Sequence, residues 1–471
     1  MSTVGEYYAS AFSPDSLYGF YQLVAIFSLV VLVWMIGLSY LVLKANSRSA
    51  ENRFMAVLLF CEGIKASFLA LEVVPYSSHW QSLWDILFPL KMEPFMVAQI
   101  TSILLYISFP IYYRVNLLKF LHNDTLKKHV WYLAPALGLM IWIFLRGQEG
   151  FGFENASWII CNEAGSEPIV KNWWGTITER VNQFASEIGT CSRDFDRAVV
   201  DEPAGSWGII LLGPIFSLIG LLFLRASMKQ NQRDAEGTKT YGTLSSRSLY
   251  IGFLGKVIGQ LSFFFIVLAV LPTLNGGVFF EFADSIRVQY GANPTSLDRT
   301  LFFIWSLTLV ITPAAIGFEA LMFVHATLKD TVFGIDANLR NTFRNTMFAG
   351  FGAFSFVLVS ESMENVVGYG MFGGVFIGAI IIFARHPIIR LIDVISGKLI
   401  PEEYTAGELK YLEAYAETIE DFVLTSREKV LLGNLATAYD ISEERLAVIE
   451  EKYRESLALG SNTTILIREE E

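Results

Sequence analysis

The stretch YGFYQLVAIFSLVVLVWMIGLSYLVLK, residues 18 to 44, decides the fold class of this chain. It carries no charged side chain before Lys44, and it is long enough to cross the hydrocarbon core of a bilayer, for which about 20 apolar residues suffice. No Lys or Arg precedes it, so it lacks the basic start of a cleavable signal peptide. We therefore expect it to remain in the protein as a membrane-spanning helix.

Segments of similar character recur along the chain. Apolar residues make up 53% and aromatic residues 14% of the 471 residues, and the mean hydropathy is +0.44. Such a chain is too apolar for an ordinary soluble domain. The sequence predicts an all-α fold, a polytopic transmembrane helix bundle with about nine spans. They lie near residues 18–43, 54–75, 92–113, 130–146, 207–224, 249–272, 300–324, 346–363 and 366–384. Whether the last two both cross fully or form a re-entrant pair is left open.

Basic residues set the predicted orientation, because Lys and Arg are concentrated in cytoplasmic loops. Alternate connections are rich in them, whereas the amino-terminal segment and the YSSHWQSLWD loop at residues 76–85 are not. We expect a multi-pass protein of the cell membrane with its N-terminus extracellular and its C-terminus cytoplasmic. The basic connections hold Lys44, Arg48, Arg53, Arg114, Lys119, Lys127, Lys128, Arg225, Lys229, Arg233, Lys239, Arg247, Lys329, Arg340, Arg344, Arg385 and Arg390.

The net charge of -11 is concentrated near the C-terminus. From Pro401 onward, 17 Asp and Glu residues face 7 Lys and Arg residues, a balance of -10. An acidic surface repels polynucleotides, so no nucleic-acid partner is expected. The predicted domains are a transmembrane bundle over residues 1–400, with a large extracellular loop at 147–206, and an acidic cytosolic helical domain over 401–471.

Two of the three cysteines lie in the extracellular loop. Cys161 and Cys191 would face an oxidising compartment, where disulfides persist. A bridge between them would contribute roughly 3 kcal/mol in the chain-entropy description. Two unpaired thiols are the alternative.

Charged residues within the predicted spans form a candidate functional group. Glu62 and Lys65 lie one helical turn apart and can pair with each other. Lys256 and Glu319 each lie several residues from the predicted cytosolic end of their span, at a depth of about 10–14 Å. We expect these two to meet across their helices and to form a buried polar cluster with Gln260. The cluster could sense a ligand or carry ions, although fixing the helix register is the preferred interpretation.

The segment GFEALMFVHATLKDTVFGIDANLRNTFRNTMFAGFGAFSFVLV, residues 317–359, combines a span, an amphipathic elbow and a basic patch. It resembles the membrane module of sensor proteins of the histidine-kinase seven-transmembrane type, and the resemblance extends over about residues 18–400. In that family the seventh helix runs into a similar cytoplasmic elbow followed by a basic patch. Apart from the resemblance, the apolar residues of the elbow can lie in the interfacial layer, and such an amphipathic segment would couple helix movement to the tail. The predicted coupling residues are Lys329, Phe333, Gly334, Ile335, Asp336, Arg340 and Arg344. An ordinary loop packed under the bundle is the alternative.

The chain departs from that family in its C-terminal part. Gly334 stands where the family has an acidic residue, and residues 401–471 show neither a phosphoacceptor helix nor the Asn and Gly boxes that bind ATP. Histidine kinase activity is therefore not expected.

Three short helices are predicted in the tail. Thr405, the Thr425 to Glu428 capping box and Ser442 each stand before a segment with helical spacing of apolar residues. The segment LKYLEAYAETIEDFVLTSREKVLLGNLATAYDISEERLAVIEEKY, residues 409–453, resembles the small helical modules of the tellurite-resistance type. That resemblance implies a partner-binding or self-associating module.

Other features of the sequence have simpler readings. Lys91 and Glu93, near the outer interface, are interpreted as interfacial anchors. Gly370, Gly374 and Gly378 form a stripe that permits close helix approach within the bundle or in a homodimer. The five histidines are scattered, and no metal, cofactor or nucleophile motif occurs, so an enzyme is not expected.

The sequence thus favours a membrane receptor or sensor protein that passes an extracellular or intramembrane signal to a cytosolic interaction module. A transporter or channel that uses the intramembrane charges is one alternative. A structural or assembly subunit is the other. The small ligand and the cytosolic partner of residues 401–471 stay unidentified, and a homodimer is left open.

Overall fold

The computed structural model describes most of the chain. The described residues are 18–74, 80–113, 115–121, 123–153, 156–172, 177–192, 194–201, 203–235, 242–280, 284, 287–288, 291–328, 345, 370–399, 405–419, 423–461 and 468–469. They form two compact units, Met1–Phe323 with Phe356–Ile377, and Val324–Ser355 with Gly378–Glu471.

The first unit is built mainly from long helices. These are α1 (Tyr18–Ala45), α2 (Ala50–Ala66), α3 (Gln81–Ile107), α4 (Asp124–Arg146), α5 (Glu179–Ile188), α6 (Ala204–Ala235), α7 (Gly242–Phe265) and α8 (Ser296–Leu328). Short helical turns occupy Ala70–Val73, Phe109–Tyr112 and Asn116–Leu121. A π-helical segment, Ile266–Val270, and a turn at Leu271–Leu274 continue α7.

Six helices among the described residues are long and apolar enough to cross a membrane. They are Val24–Ala45, Gln81–Ile107, Asp124–Arg146, Ala204–Asn231, Arg247–Leu274 and Ser296–Thr327. The protein is therefore mostly helical and of the multi-pass membrane type, with bilayer lipid as its surroundings, but the nine predicted spans are not shown.

The three remaining predicted spans differ in what is described. In place of a continuous helix over 54–75, α2 ends at Ala66, and the hydroxyl and amide of Ser67 bond back to the last turn. The predicted span 346–363 lies outside the described residues. The last one is described from Gly370 as α9 (Gly370–Phe383), 14 residues long.

The predicted loop at 147–206 is instead a small folded layer. Strands β1 (Ser157–Cys161), β2 (Ile169–Asn172) and β3 (Phe195–Val199) form an antiparallel sheet in the order β2-β1-β3. All five β1 residues are buried, so its sequence shows no alternation of polar and apolar residues. The fold is for this reason mostly helical rather than all-α.

Each face of β1 packs against a different helix. Ile159 and Cys161 lie in a core with Phe184 of α5, whereas Trp158 and Ile160 pack against Trp84 at the start of α3. The sheet is thereby attached directly to a candidate membrane-spanning helix.

The second unit includes the part of α9 from Gly378 onward. Helix α10 (Arg385–Leu399) follows, and three helices form the tail. These are α11 (Ala406–Thr418), α12 (Ser426–Ala438) and α13 (Glu443–Ser461), with a short parallel pair between β4 (Val423–Leu424) and β5 (Arg468–Glu469). The three predicted tail helices are confirmed. The predicted capping box of Thr425 and Glu428 forms, and Thr405, predicted only as a cap, forms a second capping box with Glu408. The Ser442 hydroxyl accepts from the Arg445 amide at 3.4 Å.

The tail core contains residues that sequence spacing does not single out. Tyr411 and Tyr415 are buried with Ile419, Leu432 and Ala436. Arg445 binds the buried Glu408 at 2.7 Å and so connects the third tail helix to the cap of the first.

Candidate ion-pair cluster in the helical bundle

Four charged side chains and one tyrosine meet inside the first unit. Glu62 and Lys65 come from α2, Tyr106 from α3, Lys256 from α7 and Glu319 from α8. Each of the five side chains is at most 7% exposed. We call this set the four-helix ion cluster. Two carboxylates and two ammonium groups balance its formal charge to zero.

Glu62 and Lys65 pair within α2, as their spacing predicts. Lys65 Nζ lies 3.0 Å from Glu62 Oε1 and 3.0 Å from the Tyr106 hydroxyl. The same hydroxyl donates a short hydrogen bond to Glu62 Oε1. Tyr106 therefore ties α3 to the charged pair of α2.

Lys256 occupies the centre of the cluster. Its ammonium lies 2.8 Å from Glu62 Oε2 and 3.1 Å from Glu319 Oε2, and it also donates to the Tyr106 hydroxyl. The expected contact between Lys256 and Glu319 is thus present. Lys256 also contacts Glu62, which the sequence did not assign to it.

An aromatic layer packs against one side of the cluster. The Phe253 ring centroid lies 5.1 Å from that of Tyr106 and 5.2 Å from that of Phe109, and Phe253 stacks with Phe323 at 6.1 Å. Phe109, Phe253 and Phe323 are fully buried. The Lys256 ammonium lies 5.0 Å from the Phe253 ring centroid, within cation–π distance.

Charge balance alone does not make such a cluster stabilising. Removing four ions from water is costly, and their mutual attraction offsets that cost only where the geometry is good. Deleting one member, however, leaves an uncompensated buried charge. The cluster therefore favours one helix arrangement in which every ion has its partner.

Glycines allow α7 and α8 to approach closely beside Lys256. A Cβ added to Gly259 would lie 2.4 Å from Ala315 Cβ, and one added to Gly252 would lie 2.7 Å from Met322 Cβ. A Cβ on Gly255 would meet the Phe318 ring at 2.4 Å. These distances are below any real Cβ contact, so only glycine fits this seam.

Gln260, the fifth predicted member, lies one turn beyond Lys256 on α7. It is buried, but its Oε1 has no hydrogen-bond partner among the described residues. One carboxylate oxygen of Glu319 also lacks a hydrogen-bond partner among the described residues. Its Oε2 is the oxygen nearer to Lys256, yet the hydrogen-bond geometry is met only by Oε1 at 3.4 Å. Both oxygens keep unused acceptor capacity beside the cluster.

The predicted interfacial anchors have specific partners. Lys91 Nζ lies 2.5 Å from Glu72, which is 1% exposed. Glu93 pairs with Arg146 at 2.7 Å and accepts a short hydrogen bond from the Trp142 indole. These contacts connect α3 to the turn after α2 and to α4, so the two residues do more than reach the interface.

The other predicted site residues have different outcomes. The Cys161–Cys191 disulfide is confirmed, with Cα atoms 5.8 Å apart. The elbow residues Lys329, Phe333, Gly334, Ile335, Asp336, Arg340 and Arg344 lie outside the described residues. At Gly378, an added Cβ would meet nothing within 4 Å, so close packing of the glycine stripe is not seen there. The described residues contain no group of three or more His, Cys, Asp or Glu side chains placed to hold a metal.

Sequence reasoning missed Tyr106 and the α7 glycines. A single tyrosine in an apolar helix gives no signal that its hydroxyl joins three charges. The glycines Gly252, Gly255 and Gly259 do follow small-residue spacing, which could have identified the seam.

Comparison of the chain with protein-family models, with curated proteins and with solved structures found no match.

Proposed function

We propose that this chain is a membrane sensor, in which the outer layer and bundle detect a signal and the cytosolic tail passes it to a partner. The observation that carries the proposal is the four-helix ion cluster. Its members are buried, and each ion has a partner on another helix or one turn away. A ligand or ion that moves one helix must break these contacts together, which is the behaviour of a two-state element.

The sheet of β1, β2 and β3, which we expect to lie outside the membrane, offers a path for such a signal. The sheet packs on Trp84 and Phe88 at one end of α3, and Tyr106 stands on the same helix, 18 residues beyond Phe88. A small ligand or partner that shifts the sheet would therefore act on a helix that joins the cluster.

The predicted membrane topology is also part of this proposal. We place the N-terminus outside and residues 401–471 in the cytosol, with about nine crossings of the cell membrane, on the strength of the basic loop residues. The resemblances to the histidine-kinase seven-transmembrane sensors and to the tellurite-resistance modules support the same roles. A homodimer is compatible with them.

Transport is the second candidate, favoured by one observation. Gln260 Oε1 and Glu319 Oε2 are buried acceptors without hydrogen-bond partners among the described residues, as expected where water or an ion can enter. Against it, the cluster residues are closed off from solvent, whereas transport sites line a cavity. An assembly subunit, the third candidate, would need the tail but not the cluster.

One experiment separates the three candidates. The tagged full chain, a chain ending at Ile400 and the Lys256→Met variant are expressed in the source cells, and their cytosolic partners are captured by cross-linking. A sensor requires a partner that depends on residues 401–471 and whose yield changes several-fold in Lys256→Met but not in Lys128→Met, a control on an exposed lysine.

Other outcomes reject the sensor proposal. A partner that needs the tail but ignores the cluster variant indicates an assembly subunit. Loss of all tail-dependent capture, with a proton or cation flux in proteoliposomes that Glu319→Gln abolishes, indicates a transporter.

A further inference from the structure

Helix α10 begins where an uninterrupted apolar helix ends. The 14 residues of α9, Gly370–Phe383, contain no charged side chain, and Ala384 alone separates them from Arg385. Arg385, His386 and Arg390 then follow within six residues. The transition matches the boundary between the acyl region and the headgroup layer of a bilayer.

One face of α10 is packed against protein. Ile392 is 7% exposed, and Ile388, one turn earlier, is half-buried. At 100° per residue these two point in nearly the same direction. Other parts of the chain therefore cover this side of α10.

The opposite face combines exposed apolar groups with exposed cations. Leu391 is 62% exposed and Val394 is 52% exposed. Arg390 and His386 are exposed on the same side, and Phe383, one turn before Pro387, is 87% exposed. Neither Arg385 nor Arg390 forms an ion pair within the described part of the chain.

We propose that α10 binds anionic phospholipid headgroups at the leaflet that the proposed topology makes cytoplasmic. Arg390 would bind from this face, and Arg385, which is also exposed, from the first turn of the helix. The two guanidiniums would each hold a headgroup phosphate through charge-assisted hydrogen bonds. Phe383, Leu391 and Val394 would enter the boundary of the acyl chains, as in amphipathic helices that lie in the interface. The proposal goes beyond sensing, because lipid recognition at this helix does not require any signal or partner.

Charge and apolar exposure together favour lipid over a soluble acidic partner. The acidic tail of the same chain could neutralise the arginines, but it would leave the exposed apolar side chains of α10 in water. Ile382 of α9, in the same unit as α10, is 73% exposed and adds to the apolar surface of Phe383. A bilayer covers both helices at once.

The first measurement is lipid binding to the purified full chain by native mass spectrometry. Phosphatidylglycerol and phosphatidylcholine with matched acyl chains are titrated against wild type, Arg385→Gln/Arg390→Gln and the control Lys119→Gln/Lys128→Gln, whose lysines are also exposed. We expect the arginine variant to bind phosphatidylglycerol about ten-fold more weakly, with phosphatidylcholine binding unchanged. An equal loss in the lysine control would show a general charge effect and overturn the proposal.

The second measurement tests whether the exposed apolar side chains of α10 enter the bilayer. A fluorophore on Val394→Cys is compared with one on Val430→Cys, an exposed position of α12, in vesicles that contain lipids brominated on the acyl chains. Quenching at residue 394 but not at 430 is expected. Equal quenching at both sites, or quenching at 394 only after residues 401–471 are removed, would contradict lipid as the occupant.

Discussion

The ammonium of Lys256 lies 2.8 Å from the carboxylate of Glu62, and each of these side chains is at most 1% exposed. The contact joins α7 to α2 across 194 positions of sequence. Because Lys256 also pairs with Glu319, its removal leaves two buried carboxylates with only Lys65 to balance them. We expect Lys256→Met to lower the free energy of unfolding by about 3–5 kcal/mol.

A charge-balanced double variant separates electrostatics from packing. Lys256→Met/Glu319→Gln restores a neutral cluster, so it should be more stable than the sum of the two single variants predicts. The free energies of unfolding of the two single variants and of the double variant are measured in the same detergent. Strictly additive losses would mean that the ions do not act on one another.

The α7–α8 seam makes a separate prediction. In Gly259→Ala the new methyl would meet Ala315 Cβ at 2.4 Å, and neither atom can rotate away. The helices must move apart, which costs about 1–3 kcal/mol and stretches the contact from Lys256 to Glu319. Gly37→Ala is the matched control, since a Cβ there meets nothing within 4 Å. Comparable melting temperatures for the two variants would refute the close approach.

Counting reactive thiols tests the disulfide. The chain has three cysteines, of which Cys61 is buried and free. Under native conditions without reductant we expect no maleimide uptake, one label after denaturation and three after denaturation with reduction. Mass spectrometry of the intact chain reads these numbers directly. Three labels without reductant would exclude the bridge.

The tail should lose protection from hydrogen exchange in acid. Burial alone would raise the pKa of Glu408, but hydrogen bonds from Arg445 and Thr405 outweigh it, so the pKa lies below its usual value of 4.5. Since the folded-state pKa is lowered, the stabilisation is present above pH 4.5 and is lost as the pH falls through the folded-state pKa.

Exchange of peptides from α11 between pH 6 and pH 3, corrected for intrinsic rates, measures this effect. In Glu408→Gln the pH dependence should flatten, because the amide does not titrate in this range. Glu444→Gln, at an exposed position, should retain the wild-type profile. A wild-type profile in Glu408→Gln would contradict the role of this carboxylate.

Local signals predicted much of the fold. Apolar length predicted long helices, and Thr405 and Thr425 marked helix starts because capping depends only on neighbours in sequence. The sheet of β1, β2 and β3 was not predicted, because β1 is buried on both faces and shows no alternation of polar and apolar residues. Its pairing with β3 also joins residues that are distant in sequence. Helix α2 is shorter than its apolar pattern suggested, and Ser67 bonds back to its last turn.

The sequence identified the charged members of the site but not their arrangement. Glu62, Lys65, Lys256 and Glu319 could be singled out because ionised groups are rare at membrane depth. That all four meet depends on how α2, α3, α7 and α8 pack, and no spacing along the chain encodes it. Gln260 was predicted to belong to the cluster, but the structure shows no bond from it to the other members among the described residues.

The most direct test of the account asks whether the four-helix ion cluster holds the bundle in one arrangement. Spin labels at residues 60 and 258, both exposed positions, report the distance between α2 and α7 by pulsed electron resonance in nanodiscs, with Cys61→Ala as background. We predict one narrow distance in the wild type and a second or broadened distance in Lys256→Met. An unchanged narrow distribution in that folded variant would contradict the account.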